Sequence, residues 1–308
     1  MVAVARSIPP DSSIQILATD LARQDLPVWM LVDPALGDAP ATTRLAQKLG
    51  WPRYEAFATS PLNTFGVNGP ALLQLPRLNP TALSDALRQW IKLDTVAVGL
   101  SWVVSTAAVI QLQDLFAYLA LATVDGDTPL HCRCADARVL PPLLRVLSPP
   151  QAARVGSLVA SWQWLDAVGT GVTWSAAGTP REQPDSADHL QLNAQQYSML
   201  MDASEPDIMF ALLIDKTPEV VPEENRGTFR QKLARILNTA TRYNVGQTPD
   251  RLQFVVLSLS CGESFHEHPG LRETWRAVSA RGARLSKEME GWSDDLWTSL
   301  EESNKALR

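Results

Sequence analysis

The sequence has few of the residues that mark disulfide-stabilised proteins. Only 3 of its 308 residues are cysteine. Two of them, Cys132 and Cys134, lie one residue apart in a strand-like run, where they cannot easily bridge each other. The sequence therefore lacks a disulfide framework, and a reducing cytoplasm is the expected compartment.

Basic residues are neither in excess nor clustered. The chain has 27 Lys and Arg against 33 Asp and Glu, which gives a formal net charge of -6. Proteins hold phosphate backbones with clustered Lys and Arg. Nucleic acid is therefore not an expected partner.

Apolar runs with the character of a membrane span are also lacking. The uncharged run that most suggests one, residues 95–113, contains Gly99, Ser101 and Gln111 and is followed by Asp114. A transmembrane helix is more uniformly apolar and is flanked by Lys or Arg. The first ten residues lack the apolar core of a signal peptide. We expect neither a membrane span nor export by a signal peptide.

Alternating strand and helix patterns fill the first 175 residues. The runs 28–33, 71–75 and 96–103 are short and apolar, as is typical of buried strands. Helical spacing of apolar residues begins after the first and second of these runs. Gly50 is placed to end one helix, and Asn79 with Pro80 to begin the next. We predict an α/β domain over residues 1–175, with a mixed, partly parallel sheet and flanking helices.

The second half of the chain changes character. Residues 176–190 are rich in Gly, Pro, Ser and charge, which is typical of a linker. Helix-start patterns then follow at Asn193-Ala-Gln-Gln196, Asp207, Thr248-Pro249 and Ser293. We predict an all-α lobe over residues 191–308.

Leu130 to Leu147 is the most informative stretch. It reads as an apolar strand that enters a corner carrying Arg133, Asp136 and Arg138 before a helix begins. Asp136 is placed to accept hydrogen bonds from backbone amides and from a neighbouring arginine, which predicts a structural clamp. A partner-binding surface is a second interpretation. Asp33, at the exit of the first strand, is assigned with these three residues to the clamp or partner-binding set. A catalytic set that includes Asp33 is a third interpretation, because α/β proteins place sites at strand ends.

Patterns for catalysis, cofactors or metals are weak. Ser258-Leu-Ser-Cys-Gly262 lacks the first glycine of a nucleophile elbow. Gly169-Thr-Gly171 lacks the spacing of a dinucleotide fingerprint. Cys132-Arg-Cys134 and His266-Glu-His268 each offer only two metal ligands. We therefore expect no catalytic residues, no cofactor and no metal.

Seven of the ten tryptophans fall into two groups according to their sequence surroundings. Four lie on apolar faces or in apolar runs and are predicted to be core: Trp90, Trp102, Trp162 and Trp164. Three lie among polar residues and are candidates for binding a protein partner: Trp275, Trp292 and Trp297.

The corner resembles a known family signature. Arg133-Cys-Ala-Asp-Ala-Arg138-Val-Leu140 is similar to the Arg-x-x-Asp-Pro-Arg-Val-Leu motif of the type VI secretion effector adaptors, also called effector chaperones or domain of unknown function 4123. Residues 28–33 resemble the family's first strand, and Gly69-Pro70-Ala-Leu-Leu its Gly-Pro-x-Leu-Val strand. The resemblance spans about residues 26–165. It departs at Ala137, which replaces the usual proline, and at Cys134-Ala135, which replace an aromatic pair.

The resemblance implies a non-enzymatic adaptor in a bacterial cytoplasm. Such an adaptor binds a toxin effector through its N-terminal region or PAAR-like domain, keeps it soluble and helps to load it onto the VgrG spike. No small-molecule substrate is implied. Two alternatives stay open: a hydrolase or transferase that uses Asp33 and Asp136, and a structural component of the secretion apparatus that assembles on its own.

Overall fold

The structure is a computed structural model that describes residues 5–93, 98–125, 128–176 and 182–305. It divides into two compact units. One is formed by Arg6–Ser204, and the other holds Ala5 and the chain from Glu205 onward. The division falls beyond residues 176–190, where the sequence predicts a linker. Residues 177–181 of that predicted linker lie outside the described residues.

The first unit is built on a six-stranded antiparallel sheet. Its strands are β1 (Val28–Val32), β2 (Arg53–Glu55), β3 (Ala71–Gln74), β4 (Leu100–Val104), β7 (Ser161–Leu165) and β8 (Gly171–Ser175). Their order across the sheet is β2, β3, β1, β4, β7, β8. Strand β4 overlaps the predicted strand over 96–103 and extends one residue beyond it, and residues 96 and 97 lie outside the described part.

A second, smaller sheet completes the unit. It contains β5 (Leu121–Val124), β6 (Thr128–His131) and β9 (Leu190–Leu192) in the order β6, β5, β9. Strands β5 and β6 pair antiparallel, whereas β5 and β9 pair parallel. The parallel pair makes this sheet mixed, which confirms the predicted α/β class with partly parallel pairing.

Helices cover both faces of the large sheet. They are α1 (Asp11–Ala22), α2 (Ala39–Leu49), α3 (Pro80–Leu93), α4 (Val109–Ala120), α5 (Leu140–Val146) and α6 (Pro149–Leu158). Successive side chains of a strand point to opposite faces. Met30 of β1 therefore packs in a core with α1, α2 and α3, and Leu31 packs in another core with α4, α5 and α6. This is why every residue of β1 is buried.

Local capping signals place several of these helices. Gly50 ends α2 with φ 66°, a left-handed conformation that glycine adopts without strain. The Ala82 amide donates to Asn79 Oδ1 (2.9 Å) at the start of α3. The Ser148 amide donates to Gln151 Oε1 (2.8 Å) at the start of α6. The helix ends predicted at Gly50 and at Asn79 with Pro80 are confirmed, whereas α1 has no counterpart in the sequence-based assignment.

From residue 194 onward the chain is helical, which confirms the predicted all-α lobe. Its helices are α7 (Ala194–Lys216), α8 (Arg226–Arg242), α9 (Thr248–Cys261), α10 (Arg272–Arg281), α11 (Leu285–Met289) and α12 (Asp294–Lys305). Asn193 and Gln196 form the predicted capping box, in which each amide donates to the other side chain. Buried side chains such as Phe210, Leu233 and Phe254 form the core of the second unit.

One predicted helix start is wrong. Asp207 lies inside α7, which continues through Pro206. The Asp207 carboxylate does not cap a helix. It accepts hydrogen bonds from the Arg230 guanidinium at 2.7 and 2.9 Å. The carboxylate predicted to cap a helix therefore forms an ion pair with a residue of another helix.

Within residues 5–93, 98–125, 128–176 and 182–305, no helix combines the length and the apolar character needed to cross a bilayer.

Candidate functional site

The corner after β6 is held by backbone hydrogen bonds on both sides. The Cys132 amide donates to the Ala120 carbonyl (2.9 Å), and the Ala137 amide donates to the Val98 carbonyl (2.7 Å). Between them, the Asp136 amide donates to the Arg133 carbonyl (2.8 Å) and closes a tight turn. Strand, corner and helix α5 follow one another as predicted, and the turn has Arg133 and Asp136 at its two ends.

Asp33 and Arg133 form an ion pair across 100 residues of sequence. Arg133 Nη2 lies 2.7 Å from Asp33 Oδ2. Asp33 directly follows β1, and its other oxygen accepts from the Ala35 amide at 3.0 Å. The Asp33 side chain is only 3% exposed. The pair therefore ties the end of the central strand to the corner.

Asp136 and Arg138 form the second pair. The Arg138 guanidinium donates to both carboxylate oxygens, with Nε at 3.0 Å from Oδ1 and Nη2 at 2.6 Å from Oδ2. The Arg138 backbone amide donates to Oδ1 as well, at 2.8 Å. This fork geometry is the strongest form of a carboxylate and arginine contact. The Asp136 carbonyl also accepts from the Leu140 amide at the first turn of α5.

The carboxylates of Asp33 and Asp136 are therefore both hydrogen-bonded to groups of the same unit. Asp136, like Asp33, is buried. The arrangement is that of a clamp, in which charged hydrogen bonds fix β1, the corner and α5 to one another.

The cysteines beside the clamp are not set up as nucleophiles. Cys132 and Cys134 are free thiols buried in the core that contains α4, α5 and α6. Burial raises the pKa of the Cys132 thiol to about 12 and also raises the pKa of Cys134. The thiolate is the reactive form of cysteine, so at neutral pH these side chains act as small apolar core residues.

The described residues contain no group of three or more His, Cys, Asp or Glu side chains that could hold a metal ion. The two histidines of the His266-Glu-His268 pattern have separate roles. His268 Nδ1 accepts from the Gly270 amide (3.2 Å), and its Nε2 lies 3.0 Å from Ser299 Oγ. His266 packs against the Tyr243 ring with centroids 5.0 Å apart.

The predicted tryptophan roles divide in the structure. The four predicted core tryptophans are all buried: Trp90, Trp102, Trp162 and Trp164. Trp275, a predicted partner-binding residue, is only 7% exposed and packs on Tyr243 and Phe254. It is therefore part of the helical core and is not available to a partner.

Trp292 and Trp297 stay half-buried. Their ring centroids lie 4.9 Å apart, and Trp292 Nε1 donates to Thr274 Oγ1 at 3.0 Å. The two rings form a pair in the helical unit. In the sequence they are far from the corner. Because they are partly exposed, they keep the surface that a partner-binding role requires.

A groove that sequence reasoning missed lies in the first unit. It has a volume of about 740 Å³. It is lined by the segment around Ser60 and Leu62, by α4, and by β5 and β6. Asp188 and His189 also line it, and they belong to residues 182–189, which we call the strap. The corner adjoins this groove, because His131 at the end of β6 lines it.

Three side chains fix the strap. The Tyr118 hydroxyl donates to Asp185 Oδ2 at 2.7 Å. The Arg154 guanidinium lies 3.9 Å above the Tyr118 ring and donates to the Asp185 carbonyl (3.2 Å) and to the Ala187 carbonyl. Burial and the bond to Asp185 raise the pKa of Tyr118 well above its ordinary value, so the phenol stays protonated and remains a donor. Burial acts to raise the pKa of Asp185, but the bonds from Tyr118 and Ala187 bring it below its usual range.

Comparison with known protein families gives one match, which lies within the first unit. Residues 28–154 match the family model described as Domain of unknown function (DUF4123). The matched range includes both pairs of the clamp and runs from β1 into α6. No curated protein and no solved structure matches the chain.

Proposed function

We propose that this chain is a non-enzymatic adaptor, or chaperone, for a type VI secretion toxin effector. In this proposal it acts in the bacterial cytoplasm, binds the effector through the effector's N-terminal region or a PAAR-like domain, and keeps it soluble. It then helps to load the effector onto the VgrG spike. The proposal involves no cofactor and no small-molecule substrate.

The observation that carries the proposal is the match of residues 28–154 to the DUF4123 model, a range that includes Arg133, Asp136 and Arg138. The geometry of that signature supports a structural use of its charges. Its carboxylate accepts hydrogen bonds from the guanidinium and from the backbone amide of Arg138, and Arg133 is bonded to Asp33. The residues that define the resemblance thus maintain the fold, and the surfaces around them remain for binding.

The state of the polar groups favours binding over catalysis. An enzyme that used Asp33 and Asp136 would need at least one of them free to move a proton or attack a substrate. Both are committed to arginines in buried positions, and the adjacent thiols are held protonated. An adaptor needs only shape, apolar area and charge on its surface.

Co-expression tests the proposal. The effector gene encoded beside this chain is expressed with and without it, and soluble and insoluble effector are quantified. We expect the effector to be mainly soluble and to co-purify with the tagged chain, and to be mainly insoluble without it. An effector that is equally soluble in both cases and does not co-purify would exclude the adaptor function.

Asp136→Ala separates the adaptor from the hydrolase or transferase alternative. If the clamp is structural, effector binding falls only as far as the folded fraction falls, measured by circular dichroism on the same sample. If Asp136 is catalytic, the variant keeps its fold and its effector and loses turnover. Asp20→Ala is the control, because Asp20 is exposed on α1.

A further inference from the structure

The groove has an apolar lining that continues onto the open surface. Leu62, Ala117, Leu121 and Leu130 are among the residues that form it. At one side, the Phe65 ring lies 5.6 Å from the ring of His131, which lines the groove. Phe65 is 45% exposed. Large apolar side chains that are exposed next to a groove are a recurring mark of interaction sites.

The exposed apolar surface is shared between two elements. Val67, in the same 3-10 segment as Phe65, is 57% exposed. On α4, Ile110 is also exposed and lies one helical turn before Asp114, on the same face of the helix. Two elements that line the groove thus also carry exposed apolar side chains, and a trough of this kind suits an extended or helical peptide better than a small polar molecule.

Two carboxylates in the groove wall have no cation. Asp114 and Asp188 both line the groove and are exposed. Within the part of the chain that the structure describes, neither side chain has an ion pair or a hydrogen bond. Arg154 also lines the groove, but its guanidinium stacks on Tyr118 and donates to two strap carbonyls. The groove therefore presents negative charge beside apolar surface.

We propose that this groove binds a peptide segment of the effector that combines apolar side chains with a Lys or Arg. Apolar side chains fill the trough between Leu62 and Leu130, and the basic side chain pairs with Asp114 or Asp188. Charge complementarity selects the segment, and apolar burial supplies the affinity. This inference rests on the proposed adaptor function and names the surface that performs it.

Matched double variants test the charge. In Asp114→Lys/Asp188→Lys, like charges would face the basic segment, and we expect affinity for the purified effector to fall by at least about tenfold. The control is Asp20→Lys/Asp25→Lys, an equal change of net charge at exposed positions at the other side of the sheet. Affinity is measured by biolayer interferometry with the effector immobilised, and circular dichroism verifies that each variant is folded.

A photo-crosslinker identifies the occupant. Phe65 is replaced by p-benzoylphenylalanine, which keeps an aromatic ring at the rim, and Ile16, exposed on α1, carries it in the control. The co-purified complex is irradiated, and the crosslinked peptide is identified by mass spectrometry. We expect position 65 to crosslink to one effector segment with apolar residues and a Lys or Arg, and position 16 to give no crosslink to that segment.

The outcomes separate this inference from the adaptor proposal. If the wild-type chain forms no complex with the effector, both fail. If it forms a complex but the groove variant binds as tightly as the control, the adaptor proposal stands and the groove assignment is overturned. Crosslinks from position 65 to a second copy of this chain, or to an acidic segment, also overturn the groove assignment.

Discussion

At the scale of single residues, Asp136 shows how a buried charge in the first unit is compensated. Its carboxylate is buried, and its charge is matched by the fork of Arg138 and by a backbone amide. Removal of one member of a buried pair leaves the other charged group without compensation, which costs more than the pair itself contributes. The corner is therefore sensitive to loss of either residue.

We predict that Asp136→Ala lowers the free energy of unfolding by about 3 kcal/mol. The measurement is urea unfolding followed by tryptophan fluorescence, with Asp20→Ala as the exposed control. Arg138 is partly exposed and can recover some hydration, so the loss is expected to lie below the value for a fully enclosed pair. A change below about 0.5 kcal/mol, typical of surface substitutions, would contradict the clamp.

The buried thiols give a second prediction at this scale. Burial raises the pKa of Cys132 in the folded chain from 9.0 to about 12. The protonated thiol therefore contributes fully to the free energy of unfolding below pH 9, and this contribution is lost as the pH rises toward 12. We expect the free energy of unfolding of Cys132→Ser to depend less steeply on pH in that window than that of the wild-type chain does.

At pH 8, a thiol reagent should modify Cys132 and Cys134 in urea but only slowly in the native protein. Rapid native modification would mean that the thiols are accessible.

At the scale of elements, the strap depends on a few side chains that lie far apart in the sequence. Tyr118 is on α4, Arg154 is on α6, and both hold Asp185 and its neighbours. Strand β9, which follows the strap, pairs with β5. These contacts set the width of the groove, because Asp188 and His189 form one of its walls.

We predict that Tyr118→Phe loosens the strap. Loss of one buried hydrogen bond should cost about 1 kcal/mol and speed hydrogen exchange at the Asp185 and Ala187 amides. Because the pKa of Tyr118 is raised in the folded chain, its contribution to the free energy of unfolding falls as the pH rises above about 10. The variant should lack this dependence on pH. Tyr197→Phe is the control on α7. Unchanged exchange in the strap would show that the hydroxyl has no anchoring role.

Elements with strong local signals could be predicted from the sequence. Gly50, the Asn79-Pro80 pair and the Asn193 capping box each mark a helix end through a bond or backbone angle that involves only near neighbours. Helix α1 was missed because Pro10, at its N-cap position, makes no side-chain cap bond. Asp207 was assigned to a cap because its distant partner, Arg230, is not visible in the local pattern.

The candidate site was only half predictable for the same reason. The charges of the corner stand in one short segment, and Asp136 with Arg138 could be paired from their spacing. Asp33 and Arg133 are 100 residues apart, so their contact depends on the fold. The groove joins segments near residues 60, 117, 130 and 188, and no local motif connects them.

At the scale of the whole molecule, the chain combines an α/β unit with a helical unit. The first unit holds the clamp, the groove and the matched range 28–154. The second holds the half-buried pair Trp292 and Trp297, which is a separate candidate surface. An adaptor that joins an effector to a spike needs more than one surface, and a chain with two compact units provides room for them.

The amount of effector on the VgrG spike tests the adaptor function most directly. VgrG is precipitated from cells with and without the gene for this chain, and bound effector is quantified by immunoblot. We predict that deletion lowers spike-bound effector by at least about tenfold, as expected when a cooperative assembly step is lost, and that the wild-type gene restores it. Equal amounts of spike-bound effector with and without the chain would contradict the adaptor function.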